Sequence, residues 1–204
     1  MFGRQMESQG LALRMTGPAT EDSTADSAQA LERAMAGDRA AFDELLRCYE
    51  WRVLMTAWRI LGSKEDAQDA AQEVFLRLYR HLHRVDPKRP LLPWLYRITV
   101  NVCHDLHRKQ RQETALQVEE IECASTTVDP ADEITRAEQK QMVAAALQTL
   151  TEKERAAVVL RDIQGLSTSE VAGILGSRET TVRSQISSGR AKIKKFVERM
   201  EGRR

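Results

Sequence analysis

Apolar residues recur at three- and four-residue spacing through most of this chain, and no stretch alternates long enough to make a strand. A first helical unit opens near Ser27, with Leu31, Ala34 and Met35 on one side. Gly37 and Asp38 break it and start a longer helix. That helix carries Phe42, Leu45, Leu46, Tyr49, Val53, Leu54, Ala57 and Ile60 on a broad apolar face, and Gly62 ends it. Ser63 and Asp66 form a cap for a third helix, through Ala67, Ala70, Ala71, Val74, Phe75 and Leu78. The loop RVDPKRPLLP follows, and its last proline, Pro93, suits the first turn of a helix whose stripe is Leu95, Ile98, Val102 and Leu106. Helical periodicity lapses after Arg111 and resumes near Ile134, through Met142, Val143, Ala146, Leu147 and Leu150. Thr151 and Glu154 then form a T-x-x-E capping box, opening a helix with Ala157, Val158, Leu160 and Ile163. The predicted fold class is all-α: two small helical domains joined by a flexible linker.

The stretch GLSTSEVAGILGSRETTVRSQISSGRAKIKKF continues the pattern with a change of character. Ser167 and Glu170 make another capping box, Val171, Ile174 and Leu175 follow, and Gly176 supplies a left-handed turn. Ser177 can cap a second helix with Val182, Ile186, Gly189 and Ile193 on one stripe. The other side holds Arg183, Ser184, Ser187, Ser188, Lys194 and Lys195, with Arg190 at the edge of the stripe where it can reach a phosphate. A capped helix, a glycine turn and a second helix with a short-polar, basic outer face match a helix-turn-helix. Small hydroxyl side chains let backbone approach DNA, while Arg and Lys reach bases and phosphates. The competing reading is a solvated face on an ordinary bundle helix.

The net charge of +1 conceals an uneven distribution. Residues 1–30, 31–111, 112–140 and 141–204 carry net charges of −2, +4, −6 and +5. Two basic blocks flank an acidic one, as expected of two modules that each meet a polyanion across a solvated linker. The segments are 1–26, an unstructured Ser-, Thr-, Gly- and Ala-rich extension; 27–111, a first helical domain; 112–130, an acidic linker; and 131–204, a second helical domain. No apolar run has the length of a membrane span, and no signal-peptide core is present, so no membrane insertion is expected. Cys48, Cys103 and Cys123 lack CxxC spacing and suit a reducing compartment. Cys103, His104 and His107 fall short of a zinc ligand set, leaving one buried Cys and two exposed His as the expectation.

Opposite its apolar stripe, the helix WLYRITVNVCHDLHRKQR displays Arg97, Asn101, His104, Arg108 and Arg111. Asn and Arg are suited to paired contacts with base edges and phosphates. Trp94 and Tyr96 could stack on unpaired bases or simply pack. On the third helix Asp66, Asp69 and Glu73 share a face that could hold a metal or a partner. No catalytic motif and no G-x-x-x-x-G-K-[ST] phosphate loop accompanies them, so no enzyme, metal or cofactor is expected.

Three stretches in order resemble the extracytoplasmic-function group of bacterial sigma factors. GSKEDAQDAAQEVFLRLYRHL resembles the region 2 helix that grips the RNA polymerase clamp. LPWLYRITVNVCHDLHRKQR is similar to the helix that reads the promoter minus-ten element. LTEKERAAVVLRDIQGLSTSEVAGILGSRETTVRSQISSGRAKI resembles region 4, which reads the minus-thirty-five element. The resemblance implies that Asp69, Gln72 and Glu73 bind polymerase. It implies minus-ten contacts by Arg97, Asn101, His104 and Arg108, and minus-thirty-five contacts by Arg183, Ser184, Ser187, Ser188 and Arg190. Implied partners are core RNA polymerase, through the β′ clamp and β flap, promoter DNA and an anti-sigma factor. The implied location is the cytoplasm, with tethering to the membrane through the anti-sigma factor. Gln185, Ser187 and Ser188 depart from the family's usual basic or bulky residues, which makes the promoter preference particular to this chain. The rival reading is a helix-turn-helix repressor or activator that binds DNA as a dimer, its N-terminal half a ligand-sensing or dimerising domain. A sensor has no evident use for a face of Arg97, Asn101 and Arg108.

Overall fold

The computed structural model describes residues 23–116 and 141–202. Its helices are α1 (Ser23–Met35), α2 (Arg39–Leu61), α3 (Lys64–His81), α4 (Leu91–Leu116), α5 (141–148), α6 (Glu152–Val158), α7 (Thr168–Leu175) and α8 (Glu179–Glu201). No strand occurs among the described residues, and none of these helices is long and apolar enough to cross a membrane. The predicted extension up to residue 22, the linker from residue 117 and the resumption near Ile134 lie outside the described residues. Helix α1 starts earlier than predicted, at Ser23, and α4 runs on to Leu116, past the expected break at Arg111.

The first unit is α1 to α4, with α2 packed against each of the other three. Asp38 starts α2 by accepting hydrogen bonds from the Ala40 and Ala41 amides at 2.9 and 3.2 Å, which satisfies two donors that a helix start leaves free. Arg33 at the end of α1 grips the same carboxylate at 2.6 Å, fixing the α1–α2 corner. Gly62 ends α2 at φ 82°, and Ser63 caps α3 through the Asp66 amide. Leu31, Leu45, Val53, Ile60, Val74, Leu78, Leu95 and Val102 fill the core. Placing side chains of that size out of water contributes roughly 1.5–3 kcal/mol each before conformational entropy is charged against it.

The second unit is α5 to α8. Both predicted capping boxes are formed, Thr151 with Glu154 and Ser167 with Glu170. Two local details differ from the sequence expectation. The helix predicted to run evenly to Ile163 becomes a π turn over Val159–Ile163, in which the Gln164 amide reaches back five residues to the Val159 carbonyl at 3.0 Å. Gly165 at φ 76° follows, and Arg161 holds the loop by donating to the Leu166 carbonyl at 2.7 Å. Ser177 does not cap α8: its hydroxyl turns back onto the Leu175 carbonyl, and Arg178 occupies the cap position without a side-chain bond. Helix α8 crosses α6 at Gly189, where a Cβ would lie 2.7 Å from Val158 Cγ2. Glycine is needed there for close approach rather than for its backbone angles.

The two units also touch, which the flexible linker did not foretell. Arg155, buried and with no carboxylate within ion-pair distance among the described residues, donates to the Ile60 carbonyl at the end of α2 and to the Gln148 and Leu150 carbonyls at the end of α5. Its charge is met by the negative ends of two helices. Gln164 inserts its amide between α2 and α4, donating to Thr56 Oγ1 at 2.9 Å and accepting from Tyr96 Oη at 2.8 Å.

Candidate polymerase and nucleic-acid interfaces

Three helix faces carry the residues singled out in the sequence. On α3, Ala67, Ala70, Ala71, Val74 and Leu78 are buried, which leaves Asp69 and Gln72 exposed and Glu73 half-exposed on the other side. Phe75, expected in the core, is only half-buried. The polar face continues into apolar side chains that sequence reasoning missed, Leu76 at 42% and Tyr79 at 57% exposure. Their signal was available: neither residue falls on the alanine-rich stripe, so a hydrophobic residue there has no core to enter.

On α4 the predicted row divides. Arg97, Asn101 and Arg108 are exposed, but His104 is half-buried toward α6, where burial lowers its pKa and its Nε2 has no hydrogen-bond partner among the described residues. The expectation of two exposed histidines is therefore corrected. The first turn of α6 lies against the C-terminal half of α4, with Glu152 3.4 Å from His107 and 2.8 Å from Arg111. Tyr96 is packed rather than free to stack: its ring is buried, its hydroxyl is committed to Gln164, and burial pushes its pKa up to about 12. Trp94 is half-buried. Cys103 is buried, and its thiol is likewise pushed up to about 12.

On α8, Arg183, Ser184 and Ser187 face solvent together with Lys194 and Lys195. Arg183 is steadied by Glu179 one turn earlier at 3.0 Å. Ser188 and Arg190 are exposed as well, and each also holds a partner outside α8. The Ser188 hydroxyl donates to Glu154 at 2.6 Å, and the Arg190 guanidinium forks onto both oxygens of Asp162, its Nε at 2.9 Å. Both residues lie on the flank of α8 that meets α6 and the π turn. Glu154 is the centre of that joint. It accepts from Ser188, from the Thr151 amide and hydroxyl, and from Lys192 Nζ at 2.7 Å. Burial alone would raise its pKa, but the bonds from Lys192, Ser188 and Thr151 prevail and hold it at about 2.

The chain thus presents an acidic, partly apolar face on α3, an amide and arginine face on α4, and a serine and basic face on α8. The family model for Sigma-70 region 2 matches residues 45–113, and that for Sigma-70 region 4 matches residues 140–193. The ECF RNA polymerase sigma factor SigE of Mycolicibacterium smegmatis is 36% identical over 79% of this chain, a match spanning 64% of that relative. The ECF RNA polymerase sigma factor SigW of Bacillus subtilis is 29% identical over 81% of this chain and 93% of its own. Among solved structures, CnrH in complex with the cytosolic domain of CnrY matches with a TM-score of 0.64 and 25% identity, covering 85% of this chain and 97% of that one. A Sigma-70 region 2 match over residues 45–113 does not favour the reading of that half as the sensing or dimerising domain of a repressor or activator. The chain belongs to the extracytoplasmic-function group of the sigma-70 family.

Proposed function

We propose that the chain is an alternative sigma factor that joins core RNA polymerase, directs it to promoters and is held inactive by an anti-sigma factor until a stress signal. The observation that carries this reading is the separation of three exposed faces with three chemistries on one molecule. The acidic α3 face with Asp69, Gln72 and Glu73, extended by Leu76, suits the polymerase β′ clamp. Arg97, Asn101 and Arg108 on α4 suit the minus-ten element, with Asn101 reading a base edge and the arginines meeting phosphates. Arg183, Ser184 and Ser187 on α8 suit the minus-thirty-five element in a major groove. The second unit would also meet the β flap. His104 belongs to the minus-ten surface only when α6 moves off α4, and Ser188 and Arg190 support the reading helix from behind.

The complex of CnrH with the cytosolic domain of CnrY supports a comparable protein partner for this chain, read here as the anti-sigma factor. Such a partner would tether a cytoplasmic protein to a membrane. The role is that of an initiation factor and not of an enzyme. The test is run-off transcription by core polymerase with and without the chain, on genomic fragments. Glu73→Lys is expected to reduce recovery of polymerase with the chain at least tenfold while helix content stays unchanged. Undiminished recovery would overturn the clamp assignment.

A further inference from the structure

We propose that Arg77 couples polymerase docking to promoter binding by controlling which partner Asp105 holds; this rests on the assignment of Glu73 and Arg108 above. Arg77 stands on α3 between the two faces. Its Nε donates to Glu73 Oε1 at 2.7 Å, and its Nη2 lies 3.6 Å from Asp105 Oδ2 on α4. The second oxygen of Asp105 lies 3.4 Å from Arg108 Nη2. One arginine is therefore divided between two carboxylates, and one carboxylate between two arginines. The row runs from the polymerase face to the DNA face.

Asp105 needs an explanation in this place. It is the only acidic residue between Leu91 and Arg111, and it is exposed one turn from both Asn101 and Arg108. A carboxylate there repels a phosphate backbone and draws Arg108 away from it. Arg77 supplies the compensating charge. While Glu73 is free, it competes with Asp105 for Arg77. Once a polymerase donor takes Glu73, Arg77 pairs with Asp105 alone, and Arg108 is released to a phosphate. No proton moves; the partners are exchanged. Arg77 is thus a positioning residue for the DNA contact and belongs to neither interface itself.

The experiment uses the full chain with core polymerase. Affinity for core polymerase is titrated first. Affinity of the saturated complex for a promoter fragment is then measured over a range of salt for wild type, Arg77→Gln, Asp105→Asn and the double variant. Exposed ion pairs are individually weak, so the expected loss of promoter affinity in Arg77→Gln is about three- to fivefold. The slope of log affinity against log salt should become shallower by about one, because one phosphate contact is lost. Core affinity should stay within about twofold of wild type. Asp105→Asn should restore both promoter affinity and slope in the Arg77→Gln background, since no carboxylate then captures Arg108. A merely structural arginine predicts no such rescue, and absence of rescue overturns the proposal. So does a loss confined to core affinity, which would mean that Arg77 only orders Glu73. If Arg77→Gln does not fold, Arg77→Lys decides, because it retains the charge and should preserve the salt slope. Failure of the wild-type chain to bind core polymerase would instead refute the functional assignment.

Discussion

Replacing Glu154 by Gln removes one charge from the joint that carries α8, and the consequence can be worked out from its surroundings. The carboxylate lies on α6, is buried, and receives bonds from Thr151, Ser188 and Lys192. Its pKa is held at about 2 against an ordinary value of 4.5. A depression of that size corresponds to about 3 kcal/mol favouring the folded state at neutral pH, an upper figure because Lys192 is partly solvated. Gln keeps an acceptor for Thr151 but loses the ion pair, so a loss of about 2 kcal/mol is expected at pH 7. The sign with pH follows from the lowered value. The contribution is complete above the unfolded-state pKa and disappears as the pH falls through the interval from 4.5 toward about 2. Urea unfolding followed by circular dichroism at several pH values is the assay. Wild type and Glu154→Gln should differ most at neutral pH and converge in acid. A difference below about 0.5 kcal/mol at pH 7, or one that persists unchanged in acid, would refute the reasoning.

The other predictions concern the neighbouring faces. Ser188→Ala should cost about 1 kcal/mol of stability and leave promoter preference unaltered, because its hydroxyl serves Glu154. Ser187→Ala should do the reverse, in transcription from a library randomised in the upstream element. Arg155→Met should destabilise the fold by about 3 kcal/mol, since it strips donors from buried helix-end carbonyls, and should speed amide exchange at the end of α2. Asn101→Ala should alter base preference within the minus-ten element, whereas Arg108→Ala should weaken binding to all sequences alike and flatten its salt dependence.

Elements with strong local grammar were legible in the sequence. The two capping boxes, the turn at Gly62 and the burial of Val182 and Ile186 against exposed Arg183 and Ser184 each rest on spacing within a few residues. What escaped was decided by partners distant in sequence. His104 reads as part of a polar row on α4, and the spacing does not show the approach of α6, brought back from beyond the linker, which sets Glu152 and Lys153 near it. Ser188 and Arg190 read as DNA contacts because helical spacing defines faces to within about one residue, or 100°, and both lie on the boundary. Their bonds to Glu154 and Asp162, partners on other elements, are what the spacing did not show. Arg77 drew no notice because an arginine beside Glu73 at helical spacing looks like ordinary surface pairing until Asp105 arrives from α4.

The π turn over Val159–Ile163 sets the angular phase of everything after it. It admits one residue more than a regular helix would need, and each helical residue advances the chain by about 100° of rotation and 1.5 Å of rise. Were the same five residues wound as regular α-helix, the residues after them would be turned by about that angle. Asp162 would then swing away from Arg190, and Gln164 would leave the gap between Thr56 and Tyr96. Helices α7 and α8 could still fold, each with its own cap. They would be clocked wrongly relative to the first unit, so the extra residue of the π turn serves the alignment of the parts and not the correctness of each.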